Sequence, residues 1–86
     1  MKVLVENVDK EGLESLLGRR VILLCANYFY TGKLVGVNVD CVKQLDPAIV
    51  YETGEWTAKA YKDEQKLGMA SLYVQISAIE AYGEAK

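Results

Sequence analysis

The chain has 86 residues, is 51% apolar and carries a formal net charge of −2. It is sized for one domain over 1–86, and its charge gives no general attraction to phosphate, which argues against DNA and confines any nucleic-acid contact to a local patch. No apolar run approaches the ~20 residues of a membrane span, and MKVLVENV has an acidic residue inside its apolar run and no small-residue cleavage site, so neither a membrane partner nor a secretory signal is expected.

A domain this short buries only about 60 to 65% of the surface that its unfolded chain exposes, so extra stabilisation is expected from disulfides, metals or self-association. Two cysteines, Cys25 and Cys41, make no disulfide framework, and with no histidine there is no zinc spacing. Self-association remains, a reducing cytoplasm is the expected location, and no cofactor is implied. Both cysteines read as small buried apolar residues.

In chain order, KVLV at 2–5 is either a short strand or an extended lead-in. VDKEGLESLLGRR then predicts a short amphipathic α-helix over about 9–17. Asp9 is its N-cap, Glu11 lies in its first turn, Leu13, Leu16 and Leu17 recur at helical spacing, and Gly18 follows at the left-handed C′ position. Arg19 and Arg20 complement the helix dipole there. VILLCA at 21–26 is apolar on both faces, as a strand covered on both sides would be. Asn27 marks a turn longer than the two-residue kind, and TGKLVGVNV runs on as the second strand. Its glycines, Gly32 and Gly36, mark sharp bending or close backbone approach, since glycine otherwise weakens a strand.

Asp46–Pro47 interrupts the next ladder, because proline lacks an N–H, so the strand is kinked there or the proline lies on an edge. AIVYE resumes as strand, and Thr53-Gly54-Glu55 turns the chain. A variable loop is expected over about 53–68, with room for a helical turn in KDEQK. MASLYVQISAIEAY reads as two strands meeting near 75–78, and GEAK as a frayed tail. The sum is a mainly β domain. A short N-terminal α-helix precedes a strongly bent five-stranded antiparallel small barrel, SH3-like or OB-like, over about 20–82.

The stretch LLGRRVILLCANYFYTGKLVGVN resembles the first motif of the Sm-like superfamily, which includes the eukaryotic Sm subunits and bacterial Hfq. The likeness rests on Gly18, Val21, Leu23, Asn27, Tyr30-Thr31-Gly32, Leu34, Gly36 and Val37. LDPA at 45–48 is similar to the family's leucine, acidic residue and alanine, and LYVQISAIEAY stands where its second motif would be. The resemblance implies a barrel whose last two strands have open edges that pair between copies, closing a homo-oligomeric ring of about five to seven subunits. By position those edges are 70–75 and 78–82, which gives Ala70, Leu72, Tyr73, Val74, Ile79 and Tyr82 as interface residues.

The resemblance also implies single-stranded RNA as a partner. Reading position by position, the family's pocket aspartate is replaced by Asn38, its stacking residue by Asp40, its asparagine by Val42 and its arginine-glycine pair by Gln75-Ile76. Asn38, Asp40, Cys41, Lys43 and Gln75 are the candidate RNA residues, with no aromatic side chain among them and no arginine between Gly32 and Pro47. These departures favour an alternative, a structural or protein-binding ring scaffold without RNA affinity. Lys33 and Lys43 either add local positive charge or form a solvated face. Tyr28, Phe29 and Tyr30 either stack with bases or pack over the barrel end, and Trp56 is either an interface anchor or a lid on the core. With no histidine base, no phosphate-cradling loop and no metal constellation, an enzyme is not expected.

Overall fold

In the computed structural model, which describes residues 12–86, the apolar segment that reads as a doubly covered strand lies at the middle of a mainly β structure. Six strands form it: β1 (Arg20–Cys25), β2 (Phe29–Val37), β3 (Cys41–Glu52), β4 (Asp63–Lys66), β5 (Ser71–Gln75) and β6 (Ile79–Glu84). All pairings are antiparallel, in the order β4-β3-β2-β1-β6, and β5 also lies on β3. Val21, Ile22, Leu23 and Cys25 are buried, as expected for a strand with neighbours on both faces. No helix among the described residues is long and apolar enough to cross a membrane.

Side chains alternate across a strand, so Val21, Leu23 and Cys25 of β1 share one face. They pack with Leu34 of β2, Val42 of β3 and Val74 of β5 into the main core, and Leu13, Leu16, Tyr30, Val37, Leu72, Ile76 and Ile79 close around them. Two polar side chains, Thr31 and Gln44, are fully buried among the described residues; the Gln44 Nε2 donates to the Val21 carbonyl at 3.5 Å, and its Oε1 has no hydrogen-bond partner.

The two mid-strand glycines stand beside irregularities in the β2–β3 ladder. Lys33 pairs with Leu45 and Thr31 with Ala48, so the single residue Gly32 faces both Asp46 and Pro47. This two-against-one bulge bends β3. Asp46 takes φ 49 there, the left-handed region, directly before a buried proline. A Cβ on Gly32 would stand 2.9 Å from the Gln44 Cβ and 3.1 Å from the Leu45 carbonyl oxygen, so here glycine permits a close backbone approach. Gly36 follows a second register shift, between Leu34 and Gly36, but a Cβ there would meet only Lys43 Cβ at 3.5 Å.

The crease is braced by charge. Lys66 Nζ donates to Asp46 Oδ2 at 2.7 Å, and Arg20 Nη1 lies 3.7 Å from the same oxygen and donates to the Asp46 carbonyl at 3.3 Å. Thr31, fully buried, donates its hydroxyl to Glu64. The Lys66 hydrogen bond, with Arg20 adding attraction, holds the Asp46 carboxyl below its ordinary value.

Three expectations are corrected. The α-helix over about 9–17 is, within the described residues, a four-residue 3-10 turn at Leu13–Leu16. Gly12, at φ 83, precedes it and extended Leu17 follows, so no α-helical turn can propagate. Leu13 and Leu16 still face the core and Gly18 is left-handed at φ 86. Asp9, Glu11 and the lead-in at 2–5 lie outside the described residues. Second, the loop over about 53–68 contains β4, and the segment given room for a helical turn is a strand whose backbone pairs with Ala48–Glu52. Third, there are six strands among the described residues instead of five, because the partner of β3 is interrupted opposite the crease, where Leu67 N donates to Pro47 O at 3.0 Å and Ala70 O accepts from Asp46 N at 3.4 Å.

Candidate functional site

The connection from β2 to β3 is a tight loop built around Asn38. Its side-chain Oδ1 accepts from the backbone N–H groups of Asp40 and Cys41, each at 2.8 Å, and its own N–H donates to the Cys41 carbonyl at 2.9 Å. Asparagine closes such turns because its side-chain carbonyl mimics a backbone acceptor. The consequence is that this oxygen is occupied, leaving the amide NH₂ as the group free to meet a ligand. Val39, at the tip, is 89% exposed.

The loop is tied to the end of β5. The Asp40 carbonyl accepts from Ile76 N at 2.9 Å, at the start of a short 3-10 turn, Ile76–Ala78, that joins β5 to β6. Cys41 pairs with Gln75 and Lys43 with Tyr73 across β3 and β5. The structure therefore brings Asn38, Asp40, Cys41, Lys43 and Gln75 into one patch, although Gln75 lies more than thirty positions further along the chain than its neighbours. Val42 is fully buried and unavailable. Cys41 is half-buried, which corrects its reading as a buried residue; Cys25 is buried as expected.

Sequence reasoning missed one member of this patch. Tyr73, 61% exposed, has Lys43 Nζ 5.6 Å from its ring centroid, a cation–π arrangement. With Gly36, Val37, Asn38 and Cys41, these two residues line a shallow hollow of about 250 Å³. The loop itself has no aromatic side chain, and the one beside it comes from β5, through a pairing that only the strand register reveals. Lys33 pairs instead with Arg20 and Leu45, and does not line the hollow.

The strand edges form a second feature. Among the described residues β5 pairs only with β3, and β6 only with β1. The residues expected on these edges divide by orientation. Tyr73 and Tyr82 are exposed, as is Ala70 before β5, while Leu72 and Ile79 pack against the core and Val74 is inside it. Val74, with its side chain in the core, has only its backbone to offer on the edge of β5. The edge of β4 is also unpaired among the described residues, but its sequence, DEQK, blunts it with charge.

Beside β5 lies a further hollow of about 250 Å³, lined by Cys25, Tyr28, Tyr30, Leu72, Tyr73 and Val74 among others. Burial, with Glu80 adding, pushes the Cys25 thiol up from its ordinary value, and burial followed by Cys25 and Tyr28 does the same to Tyr30. Both groups stay protonated at neutral pH, and the hollow presents neutral surface. Comparison with protein-family models, curated proteins and solved structures found no match.

Proposed function

We propose that the chain is a subunit of a homo-oligomeric Sm-like ring, in which the free edge of β5 in one copy pairs with the free edge of β6 in the next. A head-to-tail contact of this kind uses two different surfaces on each copy, and it closes when the rotation between copies divides a circle, giving about five to seven subunits. The observation that carries the reading is the pair of strands, β5 and β6, that each have one partner among the described residues and neither lysine nor proline along their length. The exposed rings of Tyr73 and Tyr82 add apolar area beside those edges.

Around such a ring the loop at 38–40 would recur with Lys43, Tyr73 and Gln75, and single-stranded RNA is the proposed ligand. Tyr73 supports it, because stacking a base on an aromatic face contributes about 1–3 kcal/mol, and Lys43 supplies positive charge. The second reading, a ring that binds protein instead of RNA, is supported by the Asp40 carboxylate, which repels phosphate, and by the occupied oxygen of Asn38. Native mass measurement tests the ring. A multiple of the 9.6 kDa chain mass is expected, and Y73K combined with Y82K should lower it; a single-chain mass at all concentrations would refute assembly. Fluorescence anisotropy with short U-rich and A-rich oligonucleotides at low salt separates the two ligand classes, with salt-sensitive binding expected for RNA and none for the protein scaffold.

A further inference from the structure

The segment between β3 and β4 holds the chain's single tryptophan. Trp56 is 57% exposed and leans on Phe29, with ring centroids 6.3 Å apart. Its other neighbour is a cation. Lys86 Nζ stands 5.9 Å from the Trp56 ring centroid and 5.1 Å from that of Tyr61, and it donates to the Glu55 carbonyl at 3.1 Å. The Lys86 backbone N–H also donates to the Tyr61 hydroxyl at 3.4 Å.

An ammonium that meets two aromatic faces and one carbonyl oxygen has the chemistry of a receptor for alkylammonium groups: the ring quadrupoles attract the charge and the oxygen takes one of its protons. The segment that carries these groups is held in shape by its own backbone. Ala58 N donates to Glu55 O at 3.0 Å and Lys62 N to Thr53 O at 3.2 Å, while Gly54 takes φ 69 against the Lys62 side chain. Lys62 is also paired with Glu52 at 3.2 Å, so this second lysine is directed elsewhere.

We propose that Trp56, Tyr61 and the Glu55 carbonyl form a binding site for a lysine ammonium, occupied by the chain's own Lys86 and open to a lysine side chain of a partner protein when Lys86 withdraws. The internal occupant is what identifies the ligand class, since a lysine is seated there. It is also what makes the site switchable, because contacts of an exposed ammonium with aromatic rings are individually weak and readily exchanged. The inference does not depend on the ring or on RNA.

Trp56 is the sole tryptophan, so its emission reads the site directly. Lys86→Gln should shift the Trp56 spectrum. Titration of that variant with Nα-acetyl-lysine methylamide should then give a saturable change at an affinity about five- to thirty-fold tighter than in the unaltered chain, where Lys86 competes. The uncharged Nε-acetylated analogue should give no change, and Lys86→Gln with Tyr61→Ala should lose the response while melting at the same temperature as Lys86→Gln alone. An unchanged spectrum in Lys86→Gln, no saturable response, or an equal response to the acetylated analogue would overturn the proposal.

Discussion

Gly32→Ala separates close approach from simple bending. The new methyl would lie 2.9 Å from the Gln44 Cβ, 3.1 Å from the Leu45 carbonyl oxygen and 3.2 Å from the Gln44 Cδ. Two of these atoms belong to β3 backbone or to the first side-chain atom, so no rotamer change of Gln44 clears them. The strand must move, and overpacking of this sort costs about 1–3 kcal/mol. In a domain of this size each kcal/mol lowers the melting temperature by about 4–8 °C. Gly36→Ala is the internal control. Its methyl would meet only Lys43 Cβ, at an ordinary 3.5 Å, and alanine in a strand interior is favoured over glycine by roughly 0.5–1 kcal/mol, so this variant should melt at or slightly above the parent. Urea denaturation of both variants, with the slope checked for constancy, measures the difference. Equal losses at the two positions, or none at Gly32, would show that β3 is not pressed against β2 as described.

Gln44→Met should raise stability by about 1 kcal/mol, because it removes a buried acceptor without a partner at the expense of one long hydrogen bond to Val21; a loss of stability in denaturant titration would mean that Oε1 is satisfied in solution. Asp46→Asn keeps a residue that tolerates the left-handed backbone but removes the charge held by Lys66 and Arg20. A carboxyl whose value is depressed on folding stabilises above its unfolded value and loses that contribution as pH falls through the folded one, so the stability gap between parent and Asp46→Asn should be present at pH 6 and close below about pH 4. A pH-independent gap would contradict the ion pair. On the RNA reading, Tyr73→Ala should weaken oligonucleotide binding by about 1–3 kcal/mol without changing its salt slope, measured by anisotropy.

What the residue order reveals depends on whether the deciding interaction is local. β1 is legible because its apolar run needs cover on both faces, and an interruption at Asp46–Pro47 is legible because proline lacks a donor, whereas the pairing that sets Gly32 opposite it needs the strand register. The meeting of β5 and β6 near 75–78 follows from two β-rich runs with a break between them. β4 is not legible, since DEQK pairs through its backbone and carries no apolar alternation. Leu13, Leu16 and Leu17 suggest an α-helix by spacing, but a left-handed Gly12 and an extended Leu17 limit it to a 3-10 turn. In the candidate site, Asn38 could be placed on its loop, whereas the Lys43–Tyr73 contact needs the register of two strands thirty residues apart in the chain. The seat of Lys86 against Trp56 and Tyr61 is equally non-local.

β3 offers one long edge to two short partners, β5 along Cys41–Leu45 and β4 along Ala48–Glu52. Each partner is therefore templated by its own half, and the linker at 67–70 is tied to the crease at its two ends, through Leu67 N and Ala70 O, and turns between them at Gly68, whose φ is 74. Extra residues inserted into that linker would bulge outward into solvent at small entropic expense, leaving both alignments where they are. The domain thus has a natural splice point in its sheet, where new sequence can be grafted while the flanking ribbons stay in frame.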